Sequence, residues 1–283
     1  MSRPEPAHVF DQTIRLRSLA PDVFGGHTGR AYWNMIGPFG GMSAATALNA
    51  VLQHPLLLGE PVSLTVNFAS ALHDGAFTIT ARAARTNRST QHWIVELVQS
   101  GADGAPQTML TATVLTAVRR ATWGGNDKPM PAVPRPDEVA PLRGKLPIEW
   151  LNRYEARPIA GAIPKVWDGA ENAAPGEQAS LSSLWMRDKP PRPLDFCSLT
   201  ALADFFFPRV FLRRASRVAV GTVSMTVYFH ASAALLRECG TGYVLGQAVG
   251  QVYYDGFFDH TAHLWSEAGR PLATSSQIVY YKE

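Results

Sequence analysis

A short pattern occurs twice, roughly half the chain apart: Ser63-Leu64-Thr65-Val66-Asn67-Phe68 and Ser224-Met225-Thr226-Val227-Tyr228-Phe229, both S-x-T-V-x-F. The likeness extends to what surrounds it. An apolar, helix-like run precedes each copy, Gly41–Val51 before the first and Phe196–Phe207 before the second. Long β-type segments follow each, the last of them Thr108–Val118 and Leu272–Tyr281. A short match alone could arise by chance. The same order of helix, matched strand and further strands in both halves is a far stronger sign, and the chain reads as two copies of one α+β unit.

The 283 residues can bury a sizeable core, and 46% hydrophobic with 17% charged residues is ordinary for a soluble globular protein. A net charge of +3, with Lys and Arg scattered rather than gathered in a stripe, argues against a nucleic-acid partner. Arg213, Arg214 and Arg217 form the one basic cluster, readable as a solvated loop or as a contact for a substrate phosphate. Cys197 and Cys239 are the only cysteines, which suits a reduced intracellular protein better than a disulfide scaffold. The N-terminus lacks an apolar core of signal-peptide length, and no run approaches membrane-spanning length. A soluble, cytoplasmic protein with no membrane partner is expected.

In the first copy, Asp11–Leu19 has strand character, and Gly37-Pro38-Phe39-Gly40-Gly41 turns into a helix that Pro55 ends. Ala44, Ala45, Ala47, Leu48, Val51 and Leu52 recur at helical spacing, and so many alanines imply close packing. Val62–Ala69, Ala76–Arg85, Gln91–Gln99 and Thr108–Val118 follow as strands, the last two joined by a turn at Gly101–Gly104. One long helix on an antiparallel sheet of consecutive long strands is the hotdog pattern. Residues 1–120 make the first repeat. Residues 121–147, with Pro129, Pro131, Pro134, Pro136, Pro141 and Pro147, read as an extended linker. Residues 148–283 make the second repeat, with strands Ala219–Ala231, Val244–Tyr254, Phe257–Trp265 and Leu272–Tyr281. The fold class is α+β, a double hotdog of two fused repeats.

Chemistry is expected where the copies disagree. Aligning Ser43 with Ser198 sets Asn49 opposite Asp204, a carboxylate inside the apolar stretch Leu199–Phe207. A charge there is costly without partners. It reads either as a structural Asp bonded to nearby backbone or as a general base facing a cleft. Thr222 precedes the matched strand, and Ser224, two residues on, is expected on the same face. Gln277 lies in the final strand, where the first copy offers Leu115 or its neighbours. An acid, a hydroxyl and an amide converging on one point would hold and activate a water. There is no G-x-S-x-G elbow. His260 and His263 are three apart on a strand and so on opposite faces, a poor metal pair, and His230 reads as structural. Gly25–Arg30 lacks the lysine and following hydroxyl of a phosphate loop. No metal and no cofactor is expected.

Three segments carry a family resemblance: Ala203-Asp-Phe-Phe-Phe-Pro208, Thr222-Val-Ser-Met-Thr-Val-Tyr-Phe-His230 and Gly269-Arg-Pro-Leu-Ala-Thr-Ser-Ser-Gln277. Together with Gly256-Phe257 and Trp185-Met-Arg187, they make the chain resemble the double-hotdog acyl-CoA thioesterases of type II, the TesB-like family, over nearly its whole length. Ser224 and Met225 stand where that family commonly has an acidic residue and a histidine. The resemblance implies an acyl-CoA substrate and a water held by Asp204, Thr222 and Gln277 that attacks the thioester. The helix start at Gly40 and Gly41 is the expected oxyanion site, with free N–H groups pointing outward. An acyl tunnel is expected between the helices, lined by Phe39, Met42, Phe205 and Phe206. Two other readings stand beside it. One is an acyl-CoA-binding protein of the same fold without turnover. The other is a hotdog enoyl-CoA hydratase, whose G-D-x-N-P-x-H segment this chain lacks. An exposed sheet edge is compatible with a homo-oligomer.

Overall fold

A computed structural model describes residues 7–283. The first repeat comprises a short helix α1 (Val9–Thr13), strands β1 (Arg17–Ala20) and β2 (Val23–His27), helix α2 (Gly40–Leu52), and strands β3 (Glu60–Phe68), β4 (Ala76–Thr86), β5 (Thr90–Ser100) and β6 (Pro106–Ala117). The second comprises β7 (Tyr154–Ala160), β8 (Ser182–Asp188), helices α3 (Phe196–Leu202) and α4 (Arg209–Arg213), β9 (Ala219–Phe229), helix α5 (Ala233–Cys239), β10 (Val244–Val249), β11 (Tyr253–Tyr254), β12 (Phe257–Ser266) and β13 (Pro271–Lys282).

The strands form one antiparallel sheet in the order β1-β2-β4-β5-β6-β3-β9-β13-β12-β10-β8-β7, with β11 paired to β12. Read from the centre outward, each half has the same order, so β3 matches β9, β6 matches β13, β5 matches β12 and β4 matches β10. The repeated pattern is the seam itself. Ser63 pairs with Tyr228, Thr65 with Thr226 and Asn67 with Ser224. The pattern thus pairs with its own copy about the central threonines, whose hydroxyl oxygens lie 2.9 Å apart.

Helix α2 packs against α3 and against β4, β5 and β6. Ala44, Ala45, Ala47, Leu48, Ala50 and Val51 are wholly buried, as its small residues imply. The second helix is shorter than its apolar run suggests. Asp195 caps it by accepting from the Ser198 N–H at 2.8 Å, and the helix ends at Leu202. The backbone then turns through Ala203 and Asp204 before Pro208, so Asp204 follows the helix rather than riding on it. The segment expected as a strand over 11–19 divides into the end of α1 and β1.

The proline-rich stretch stays extended apart from a 3-10 turn at Pro136–Glu138, and a second 3-10 turn at Glu149–Arg153 leads into β7. It lies against the second repeat. Trp185 donates to the Pro134 carbonyl at 2.9 Å, and Met130, Val133 and Val139 pack on Trp185, Tyr243, Leu245 and Trp265. No helix among the described residues is long and apolar enough to cross a membrane.

Candidate active site

The differences between the repeats converge on one point. In the middle of β13, Gln277 is 4% exposed and faces the helix layer. Its Nε2 donates to Asp204 Oδ1 at 2.9 Å, and its Oε1 accepts from Thr222 Oγ1 at 3.2 Å. Gln277 therefore orders a row of acid, amide and hydroxyl, and Thr222 reaches Asp204 through it. In the first repeat the row has no counterpart. Leu64 opposite Val114 matches Met225 opposite Gln277, and Pro61 occupies the place of Thr222.

A β-bulge turns Thr222 inward. Ile278 pairs with Ser224 and the next residue, Val279, pairs with Thr222, leaving Val223 as the extra residue of β9. Val279 is 5% exposed and Ile278 46%, so Thr222 shares the buried face of Gln277 while Ser224 shares the outer face. Strict alternation puts Thr222 and Ser224 on one face; the bulge between them reverses that. The first repeat bulges at the matching Val62.

Asp204 is held from three directions. Its N–H donates to the Ala201 carbonyl at 3.1 Å, continuing the end of α3. Ser275 Oγ donates to the preceding carbonyl, that of Ala203, at 3.2 Å. The start of α2 meets the carboxyl from the other repeat: a Cβ on Gly40 would stand 2.9 Å from Asp204 Oδ2, and one on Gly41 2.8 Å from the Ala201 carbonyl oxygen. Only glycines admit this approach. Burial pushes the Asp204 carboxyl up to about 7, against the opposing pull of hydrogen bonds from Gln277 and the Gly41 N–H. The positive end of α2 favours the anion in the same sense as those bonds.

The start of α2, the expected oxyanion site, faces Asp204 from the other repeat. The Gly41 N–H points toward the carboxyl and favours its ionised form. Gly40, the first residue of α2, has no intrahelical acceptor for its N–H and lies against the same carboxyl. The expected tunnel is rearranged. Phe39 stacks on Trp150 at 4.0 Å inside the core, and Met42 borders a separate small crevice with Thr46 and Phe77. Phe205 and Phe206 do line a cleft, with Tyr154, Leu146, Ser182 and Ser183, whose empty space of about 630 Å³ includes open solvent at its mouth. It begins at the residue after Asp204.

His260 is a neighbour that sequence spacing does not reveal. It sits on β12 directly across from Gln277, 3% exposed, with its ring 5.5 Å from that of Phe206. Burial and the nearby Arg209 push its imidazole well below the usual range, so it is neutral. His263 lies on the opposite face of β12 and stacks on Trp265. His230 shares a hydrogen bond with Thr274 Oγ1 at 3.1 Å, outside the row. The basic cluster is engaged locally: Arg213 pairs with Glu171, Arg214 with Glu283, and Arg217 lies over the Trp167 ring.

Family profiles match both halves, the acyl-CoA thioesterase N-terminal domain over residues 30–117 and the C-terminal domain over residues 129–281. A solved protein of unknown function with a hot dog fold from Alicyclobacillus acidocaldarius is 39% identical, with a TM-score of 0.88 over 98% of this chain and 99% of its own. The acyl-CoA thioesterase II TesB2 of Mycobacterium marinum shares 17% identity, with a TM-score of 0.74 over 97% of this chain and 98% of its own. The tesB protein of Mycobacterium avium subs paratuberculosis shares 16%, with a TM-score of 0.72 over the same fractions, 97% and 98%. No curated protein matches the chain.

Proposed function

Because the chain belongs to the TesB-like acyl-CoA thioesterase family, we propose that it hydrolyses acyl-CoA thioesters to free acid and CoA at the row of Asp204, Gln277 and Thr222. The observation that carries this reading is the bridging role of Gln277, which makes one unit of an acid and a hydroxyl from different elements.

In the reaction, ionised Asp204 accepts a proton from a water, and the oxygen attacks the thioester carbonyl. Gln277, with both ends of its amide engaged, fixes the carboxylate, and Thr222 fixes Gln277. A tetrahedral intermediate forms, whose oxyanion takes the Gly40 N–H at the positive end of α2. Collapse breaks the C–S bond, and the proton held by Asp204 passes to the departing CoA sulfur. A carboxyl with a pKa of about 7 suits both steps, since it can take and return a proton near neutral pH. The cleft beside Phe205 and Phe206 receives the acyl chain.

The test is release of CoA thiol from an acyl-CoA panel by the parent protein and by Asp204→Asn. Loss of about 100-fold or more in kcat, with fold retained, is the expected result. Equal rates would remove Asp204 from the chemistry. Binding of acyl-CoA by the parent without release would make the protein a carrier.

A further inference from the structure

The cleft that begins beside Asp204 is bounded on one side by a piece of chain belonging to neither sheet nor helix. Its floor is the inner face of the last two strands: Tyr154, Ala156 and Pro158 alternate along β7, and Leu184 pairs with Pro158 from β8. Phe205, Phe206 and Phe207 face that floor. β7 is an edge strand, so no further strand bounds the cleft beyond it. The boundary there comes from the end of the proline-rich connection, through Leu142, Gly144 and Leu146.

This strap is fastened at both ends. The Leu142 N–H donates to the Ala156 carbonyl at 2.8 Å, using a group that the edge of β7 would otherwise leave unpaired. At Leu146 one side chain holds both backbone groups: Asn152 Oδ1 accepts from the N–H at 2.9 Å, and Asn152 Nδ2 donates to the carbonyl at 3.1 Å. Between the fastenings the chain turns at Gly144, with a φ of +86°, a conformation glycine adopts without strain. Residues 142–146 thus form a fixed wall. Leu142 remains 43% exposed on it, beside a cleft lined by phenylalanines, and gains from a hydrocarbon that covers it. Ala156 carries only a methyl where the strap is fastened, and a longer side chain there would stand in the space between strap and phenylalanines.

Resting on the thioesterase reading above, we propose that residues 142–146 are the selectivity element of the enzyme. The acyl chain lies over Ala156, with Phe205 and Phe206 on one side and Leu142 and Leu146 on the other. The connection between the repeats then sets which acyl groups are preferred, while the row of Asp204, Gln277 and Thr222 serves them all alike.

The test measures CoA release by the full-length protein from acetyl-CoA and decanoyl-CoA. Ala156 lies two residues, about 7 Å, along β7 from Tyr154, whose ring packs on Phe205 beside Asp204, so an acetyl group stops short of it and a decanoyl chain does not. In Ala156→Leu, kcat/KM for decanoyl-CoA should fall about tenfold or more, as misfits of a methylene or more in an apolar pocket do, while acetyl-CoA keeps the parent's rate. Leu142→Ala, at a half-exposed side chain that the fold does not depend on, should reduce the preference for decanoyl- over acetyl-CoA about fivefold. A Leu142→Ala variant that keeps the parent's chain preference would overturn the proposal, whatever Ala156→Leu does. So would a parent that releases CoA from acetyl-CoA but not from decanoyl-CoA, and the thioesterase would stand in both cases. Release from neither substrate by the parent would sink the thioesterase reading and this one with it.

Discussion

Asp204 owes its properties to what lies within hydrogen-bond reach, and its behaviour with pH follows. Its carboxyl rises from 3.8 to about 7 on folding, so the folded chain holds that proton more tightly than the unfolded chain. Such a group adds stability that is full below 3.8 and lost as pH climbs through about 7. In the proposed mechanism activity runs the other way, because Asp204 must be ionised to act as the base: kcat/KM should fall as pH drops below about 7. Asp204→Asn should therefore be nearly inactive, yet melt above the parent at alkaline pH, with the gap closing in mild acid; calorimetry across pH checks this. Gln277→Glu puts a second carboxylate beside the first, and the acidic limb of the pH–rate profile should move up by about a unit or more. A limb that stays put would show that Gln277 and Asp204 do not interact in solution.

At the scale of elements, the join between the start of α2 and the end of α3 depends on the absence of side chains. Gly41→Ala would place a methyl 2.8 Å from the Ala201 carbonyl oxygen and 2.7 Å from the Phe39 ring, and should cost about 1–3 kcal/mol in chemical denaturation. Gly40→Ala would press on Asp204 Oδ2 itself, so its loss should appear chiefly in kcat. Much of this level was legible in the chain: the alanines of α2 and the hairpin turn at Gly101–Gly104 stand where local pattern puts them, and so do the long strands, except that the segment expected as one strand over 244–254 breaks after Val249 into β10 and β11. The length of α3 was not, because Leu199–Phe207 is apolar except for Thr200 and Asp204 for two reasons, helix first and cleft wall after, and composition does not separate them. The bulge at Val223 was also hidden, being a property of pairing between distant strands, and it decides which hydroxyl faces Gln277. The neighbourhood of His260 escaped for the same reason, since it exists only through the register of β12 on β13.

Across the whole molecule, β3 and β9 make the two repeats one sheet, and each half alone would present a long strand with unpaired backbone groups. Either half expressed separately should self-associate or aggregate, and mixing the two should restore a soluble pair; halves that stay monomeric and folded would contradict this. The duplication was visible from the repeated pattern, but that the pattern is where the copies touch emerges only from the pairing. Thr65 and Thr226 facing one another means that this strand, in a protein of one repeat, would meet itself across a true twofold axis. Every substitution would then be made twice, and a carboxylate gained at one site would be gained at its mirror image. Carrying both sides on one chain removes that constraint. One side can keep Pro61 and Val114 as packing while the other holds Thr222 and Gln277, so the molecule has the stability of a symmetric assembly with the chemistry of an asymmetric one.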